Sequence, residues 1–228
     1  MSVNLVQKVD DRVRVRNALI SVSDKQGLDV VVKELVGALS GLTIFSTGGT
    51  FSMVQQVLGQ RAEEVLVPVS RYTGQPETQG GLVKTLDFKI YLGLLTETYN
   101  SSHQDDLKRT GAVPIDLVVV NLYPFEKTVA KEGVSIEEAR ANIDIGGPCM
   151  VRAAAKNFHR VAVLVDPSDY PGFLKSLKAN NGFTLLEDRF RLAVKAFRHT
   201  ASYDEQISEY LGRVSFPESA PCYQIRRG

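Results

Sequence analysis

Short apolar runs alternate with amphipathic stretches along most of the chain. Apolar runs predict strands at 17–22, 42–46, 65–69, 116–121 and 161–165, and helical spacing of apolar positions predicts helices at 28–39, 51–58 and from Pro167. The run at 116–121 is typical of a strand buried on both faces, whereas the run at 65–69 resembles an edge strand. Strands that alternate with helices predict an α/β fold with a mostly parallel sheet flanked by helices.

The remaining segments do not follow this alternation. Residues 1–15 are polar and basic, which predicts a loose lead-in, and residues 70–95 show little periodicity, which predicts a long functional or mobile loop. A helical pattern from 185 to 212 predicts one long helix. The tail at 214–228 has two prolines and no strong periodicity, so it is either disordered or covers a neighbouring subunit. We therefore expect one domain, at 16–213, between two terminal segments.

Polar motifs follow three of the predicted strands. Ser-Asp-Lys at 23–25 follows the first, Thr-Gly-Gly-Thr at 47–50 the second, and Asn-Leu-Tyr at 121–123 the strand at 116–121. Ligands of parallel α/β sheets bind at the carboxyl ends of the strands, and paired glycines that open a helix favour phosphate there. A plain tight turn at 47–50 and a simple helix cap at 23–25 are the alternatives. The pattern of a nucleoside triphosphate loop is absent from the sequence.

Two further motifs pair glycines with charged residues. In the segment 144–157, Asp144 precedes two glycines and a proline suited to a first helical turn, and Lys156 stands near the end of a small-residue helix. Such a helix start favours a phosphate or a developing oxyanion, although a capped helix with a solvated lysine is the alternative. Gly80 and Gly81 precede Lys84 and Thr85; a hairpin turn explains these glycines equally well.

The net charge and the numbers of cysteines and histidines limit which ligands and partners the chain is expected to bind. The chain has 228 residues, a formal net charge of +1, two cysteines and three histidines. This charge gives no electrostatic reason to expect nucleic acid or a membrane surface as a partner, so any anion site must be built locally. The cysteines and histidines show neither metal-ligand spacing nor a disulfide framework, which fits a reducing cytoplasm. No apolar core of a signal peptide or membrane span occurs near the N-terminus.

Seven motifs occur in the order of one family. They read SVSDK at 21–25, STGGT at 46–50, VKTL at 83–86, NLYPF at 121–125, DIGG at 144–147, RAAAKN at 152–157 and KAFRHTASYD at 195–204. Through them the chain resembles the inosine monophosphate cyclohydrolase domain, the N-terminal half of bifunctional purine biosynthesis proteins. The resemblance covers roughly 16–213 and implies a methylglyoxal-synthase-like fold.

The resemblance also implies an activity. Enzymes of this family are hydrolases in purine biosynthesis that close the ring of 5-formamidoimidazole-4-carboxamide ribotide with loss of water, giving inosine monophosphate. No metal or organic cofactor is implied. A cytoplasmic homodimer acting on a small-molecule nucleotide is implied, with the helix through 195–210 and its aromatic face as the contact. Formyl transfer would come from another protein or a missing domain.

Family roles can be assigned to residues of this chain. By resemblance, Lys156 with Asp144 and Lys84 with Tyr123 would handle protons, although the ring of Tyr123 has a core position as its alternative. The backbone N–H groups of Ile145 and Gly146 would face the oxyanion, and Asn121 would lie near the base. The phosphate and ribose would be held by Ser23, Lys25, Thr47, Gly48, Gly49, Thr50 and Thr85.

The chain departs from the family in one loop. Leu82 stands where the family has arginine, Asp87 and Phe88 replace a His-Pro pair, and Tyr91 replaces a second histidine. Leucine has no donor for a phosphate or carboxamide. We hypothesise that activity is retained, with Lys89 or Arg71 compensating. The alternative is a non-catalytic purine-nucleotide-binding or regulatory module; a methylglyoxal synthase is less favoured because its histidine pattern is missing.

Overall fold

The computed structural model describes residues 5–76, 84–215 and 222–226. The strands in these parts are β1 Arg12–Arg14, β2 Asn17–Val22, β3 Thr43–Ser46, β4 Leu66–Pro68, β5 Leu117–Asn121, β6 Ala162–Leu164 and β7 Phe183–Leu185. The helices are α1 Leu28–Ala38, α2 Gly48–Leu58, α3 Ala62–Val65, α4 Val69–Thr73, α5 Phe88–Leu95, α6 Ser101–Thr110, α7 Phe125–Val129, α8 Ile136–Ala141, α9 Gly146–Lys156, α10 Tyr170–Ala179 and α11 Leu186–Arg213.

Strands β2 to β6 form one parallel sheet in the order β4-β3-β2-β5-β6. Each coincides with a predicted strand to within two residues at either end, and β4 lies at an edge as predicted. Side chains of the central strands alternate between two apolar clusters: Ile20 and Val119 face the cluster that contains α1, while Leu19 and Val118 face the cluster that contains α9. Helices therefore cover both faces of the sheet, and the predicted α/β fold is confirmed.

The first segment is part of the domain. Strand β1 pairs antiparallel with β7, and Val15 is buried. The guanidinium of Arg189 on α11 donates hydrogen bonds to the carbonyl oxygens of Asp10 and Asp11. The expectation of a loose lead-in is therefore wrong for residues 10–15. Their charged composition concealed a strand whose partner lies about 170 residues further along the chain.

The segment predicted as a long loop contains two helices, α4 and α5. Helix α5 buries Ile90 and Leu94 and exposes few polar residues, so it lacks the amphipathic pattern by which helices are recognised. The loop prediction is wrong for 88–95. The predicted glycine turn at Gly80 and Gly81, together with Leu82, lies outside the described residues.

Helix α11 forms as predicted, but its aromatic residues are divided between two environments. Tyr203 and Tyr210 pack against Phe125 in the core, so the predicted aromatic contact face at 195–210 is directed largely inward. The exposed apolar residues lie mostly nearer the start of the helix, at Phe190, Val194 and Phe197, with Leu211 near its end. In the described part of the tail, the hydroxyl of Tyr223 donates a hydrogen bond to Glu137 on α8 at 2.7 Å.

Candidate active site

A cavity of about 430 Å³ opens where β2, β3 and β5 end. Every predicted site residue except Lys156 lines it: Ser23, Lys25, Thr47, Gly48, Gly49, Thr50, Lys84, Thr85, Asn121, Tyr123, Asp144, Ile145 and Gly146. These residues come from five separate segments. The parallel sheet brings three of these segments together, those after β2, β3 and β5, because the carboxyl ends of its strands share one edge.

One wall of the cavity is suited to an anion. Helix α2 begins at Gly48, whose φ of 53° lies in the left-handed region that favours glycine. A Cβ atom at position 48 would lie 3.4 Å from Nζ of Lys84, and one at position 49 would lie 3.9 Å from Nζ of Lys25. Two ammonium groups therefore flank the start of an eleven-residue helix, where backbone N–H groups and the helix dipole also favour negative charge.

Thr50 and Asn121 shape this wall through hydrogen bonds to the backbone. The hydroxyl of Thr50 donates to the carbonyl of Val22 at 3.0 Å and accepts from its N–H at 3.1 Å. The side-chain oxygen of Asn121 accepts from the N–H groups of Ser23 and Asp24 at 2.6 and 2.8 Å, and its amide donates to the Asp24 carbonyl at 2.7 Å. Both side chains thus hold the turn that carries Lys25. Both residues also line the cavity, and the predicted roles of Thr50 toward phosphate or ribose and of Asn121 near the base stay predictions.

Asp144 lies at the opposite wall, before α9. Its carboxylate accepts a hydrogen bond from the N–H of Gly147 at 2.9 Å. Burial raises the pKa of Asp144, and hydrogen bonds from the backbone N–H groups of Gly147 and Tyr123 oppose that rise. A carboxylate with a raised pKa is suited to exchanging protons with a bound ligand.

The start of α9 has no room for side chains. A Cβ atom at position 147 would lie 2.7 Å from a methyl carbon of Leu122 and would also collide with the Asp144 carboxylate; at position 146 it would lie 2.9 Å from the hydroxyl of Thr85. The first N–H groups of a helix have no partners within it. Ile145 and Gly146 line the cavity at this helix start, and the role of their N–H groups toward an oxyanion stays a prediction.

Tyr123 is exposed over 56% of its surface and lines the cavity, which excludes the alternative of a core position for its ring. Lys84 lines the same cavity but lies beside Gly48. Its location favours contact with an anion at α2. Proton handling by Lys84 together with Tyr123 stays a prediction.

Lys156 does not belong to this cavity. It is the last residue of α9, which begins at Gly146, so the two residues lie about 15 Å apart along the helix axis. Its side chain is exposed, and the hydrogen bonds to the Asp144 carboxylate come from Gly147 and Tyr123. The predicted pairing of Lys156 with Asp144 is therefore not made within this chain, because the two residues stand at opposite ends of one helix.

The described residues that depart from the family pattern lie outside the cavity lining. Asp87 caps α5 by accepting the N–H of Lys89 at 2.7 Å, and Phe88 is 63% exposed. The hydroxyl of Tyr91 is buried near Cys149, and burial raises its pKa. The ammonium of Lys89 donates to the carbonyl of Tyr72, so the suggested compensation by Lys89 is not supported.

Part of the cavity wall comes from residues to which no sequence motif assigns a role. Gly147, Met150 and Leu86 line it, as do Ala141 at the end of α8 and Asn142 and Ile143 in the loop that follows. The glycine pair was a signal for Gly147. Residues 141–143 carry no such signal, because they reach the cavity only through the path of the chain. Among the described residues, no group of three or more His, Cys, Asp or Glu side chains is placed to hold a metal ion.

The fold and site define the class of protein. A family profile described as "MGS-like domain" matches residues 28–149, more than half of the chain, and the chain belongs to this family. A second profile, "AICARFT/IMPCHase bienzyme", matches residues 154–226. The predicted methylglyoxal-synthase-like fold is confirmed.

Two individual proteins are similar to most of the chain. The chain is 48% identical over 206 residues to the bifunctional purine biosynthesis protein PurH of Thermoanaerobacter sp. (strain X514), which confirms the predicted resemblance. This alignment covers 89% of the chain and 39% of the relative, so the chain spans about two-fifths of the length of that protein. The crystal structure of ForH superimposes with a TM-score of 0.74 at 32% identity, covering 86% of this chain and 96% of ForH.

Proposed function

We propose that the chain is an inosine monophosphate cyclohydrolase, which closes the purine ring of 5-formamidoimidazole-4-carboxamide ribotide. The observation that carries this proposal is one cavity that combines an anion site at α2 with Asp144, Tyr123 and the first turn of α9. The identity to PurH over most of the chain supports the same activity.

The residues suit each step of ring closure. The carboxamide nitrogen forms a bond to the formyl carbon and loses a proton, for which Asp144 is the base. The formyl oxygen becomes an oxyanion, which the N–H groups of Ile145 and Gly146 stabilise. This oxygen takes one proton from the hydroxyl of Tyr123 and a second from Asp144, which returns the carboxamide proton, and leaves as water. The formamide nitrogen forms the new C=N bond and gives up its own N–H proton, which restores the hydroxyl of Tyr123. Lys25, Lys84 and the start of α2 hold the phosphate.

The proposal also covers the substrate, the oligomeric state and the cell compartment. The substrate is a small-molecule nucleotide, and the formyl group is attached by another protein or by a further domain. We also propose a cytoplasmic homodimer that uses no nucleic acid or membrane partner. An exposed stripe of Phe190, Val194 and Phe197 on one face of α11 supports self-association. Within the described ranges, no helix is both long and apolar enough to cross a bilayer.

Ultraviolet absorbance measures ring closure directly, and two lysine variants make the test specific. Lys84→Met is expected to raise the KM by about 10- to 100-fold, because hydrogen bonds to a charged group contribute about 1.5–3 kcal/mol. Lys156→Met removes a lysine outside the cavity and should retain the wild-type KM and kcat. An equal loss in both variants would contradict the assigned site.

The wild-type protein also separates the candidate functions. Inosine monophosphate binding without ring closure at high substrate would favour a non-catalytic purine-nucleotide-binding or regulatory module. Absence of both binding and ring closure would reject the proposal.

A further inference from the structure

Tyr203 contacts the loop of Asp144 from behind the cavity. It lies on α11 with 5% of its surface exposed, and its hydroxyl oxygen accepts the backbone N–H of Asp144 at 2.8 Å. Asp144 precedes α9, so no helical carbonyl satisfies this N–H, and a buried amide without a partner is costly. The hydroxyl of Tyr203 therefore fixes the backbone from which the Asp144 carboxylate projects.

The same side chain also contacts the loop of Tyr123. The ring of Tyr203 packs edge-on against Phe125, with centroids 6.4 Å apart and an interplanar angle of 72°. Phe125 begins α7, and its N–H donates to the carbonyl of Tyr123 at 2.8 Å. Tyr203 on α11 is thus hydrogen-bonded to the loop of Asp144 and packed against the residue that holds the loop of Tyr123.

We propose that Tyr203 is a positioning residue, which sets the placement of Asp144 relative to Tyr123. This inference rests on the proposed function for its kinetic consequences. Tyr203 does not line the cavity, so it acts through the two loops. The role accounts for part of the motif at 195–204, which lies entirely on α11 and outside the cavity lining.

Helix α11 offers a matched control in Tyr210. Its ring also packs edge-on against Phe125, with centroids 5.7 Å apart at 83°. Among the described residues, however, the Tyr210 hydroxyl has no hydrogen-bond partner at the Asp144 loop. Tyr203→Phe and Tyr210→Phe each remove one hydroxyl and keep the ring packing, so a difference between them reports the bond to Asp144.

The kinetic test compares kcat and KM in these two variants. Tyr203→Phe should lower kcat by about 10- to 100-fold, since small misplacements of reacting groups have effects of this size, and should leave KM nearly unchanged because the phosphate wall is untouched. Tyr210→Phe should retain wild-type kcat and KM. Unchanged kcat in Tyr203→Phe, or an equal fall in both variants, would overturn the inference.

Hydrogen exchange tests the contact without requiring activity. In Tyr203→Phe, the amide of Asp144 should exchange at least about tenfold faster than in the wild type, while Tyr210→Phe leaves it protected. Equal protection in the wild type and both variants would overturn the positioning role. If the wild-type protein shows no ring closure but Tyr203→Phe still loses protection, the proposed function fails and the contact stands.

Discussion

At Gly147 the backbone of α9 passes between the Asp144 carboxylate and the side chain of Leu122. Any Cβ atom there would displace one of them, so the tight approach depends on the absence of a side chain. The same approach allows the N–H of Gly147 to reach the carboxylate. A single hydrogen atom in place of a side chain therefore controls how Asp144 is held.

Gly147→Ala is expected to lower kcat at least about tenfold and to destabilise the protein by roughly 1–3 kcal/mol through overpacking. Urea unfolding and the absorbance assay measure the two effects. The control is Gly37→Ala on the exposed face of α1, where a Cβ would meet nothing within 4 Å. That change should stabilise the protein by about 0.5–1 kcal/mol. Wild-type activity in Gly147→Ala would contradict the described packing.

The pH dependence of activity should report the raised pKa of Asp144. A base must be ionised, so kcat/KM should fall as the pH drops through this pKa, at a pH above the ordinary aspartate value of about 3.9. Asp144→Asn should abolish this acid limb together with most of the activity. An acid limb at or below the ordinary value would argue against Asp144 as the base.

The raised pKa of Asp144 also determines how this residue's contribution to the free energy of unfolding changes with pH. Between the ordinary pKa and the raised one, the folded state binds more protons at Asp144 than the unfolded state does. The contribution of Asp144 to the free energy of unfolding therefore decreases as pH rises through that window and is constant above it. A catalytic carboxylate held in this way lowers stability at neutral pH.

Residue positions were predictable where a strand end signals them. Lys25 and Thr47 follow predicted strands directly, and the glycine pair marks the start of α9. The partners of Thr50 and Asn121 lie 28 and about 98 residues away, so their backbone bonds leave no trace in the local sequence. The order of the motifs does not show that the length of α9 separates Lys156 from Asp144.

At the scale of elements, Arg189 joins the two ends of the domain. Its guanidinium has no exposed surface and donates to the carbonyls of Asp10, Thr184 and His159 at 2.7, 2.7 and 3.0 Å. Burial lowers its pKa to about 10. The side chain thus connects the first described segment, β7 and the loop after α9.

Arg189→Met should destabilise the protein by roughly 3 kcal/mol or more, because several buried carbonyls lose their donor. Arg191→Met on the same helix breaks an exposed pair with Asp188 and should change the free energy of unfolding by less than about 1 kcal/mol. Urea unfolding followed by circular dichroism compares them. Equal stability of the two variants would show that Arg189 does not join these segments.

The predictable elements were those with a strong periodic pattern. The central strands are mostly apolar and α11 is long and amphipathic, so both are recognisable from the sequence. The three-residue strands β1 and β7 are too short for periodicity, and each is stabilised by the other across the chain. Their existence depends on tertiary contacts that a local pattern does not contain.

At the scale of the whole molecule, the exposed stripe on α11 is the surface with which we associate the proposed dimer. Phe197→Asp should shift the protein from dimer to monomer in sedimentation velocity, because a buried charge opposes association. Leu211→Asp changes another exposed apolar residue about 21 Å further along the helix and should leave the dimer intact. A monomeric wild-type protein, or dissociation by both variants, would contradict this assignment.

The parallel α/β class of the fold was predictable from the sequence, but the order of the strands in the sheet was not. Alternating strands and helices indicated a parallel sheet, but the strand order β4-β3-β2-β5-β6 depends on which crossovers pack best. The domain limits remain predictions, although the segment before residue 16 is integrated through β1 and the tail touches α8 through Tyr223.

The lysines and helix start at the anion wall belong to a molecule whose formal net charge is only +1. Their field is screened over about 8 Å at physiological ionic strength, and no surplus of charge extends it outward. A nucleotide therefore receives no long-range electrostatic guidance toward this opening, and its association rate should lie in the ordinary range for unsteered encounters. The protein can distinguish one anion from another only after the phosphate has reached the opening of the cavity. Selectivity among anions should therefore appear as a slower dissociation rate of the correct ligand.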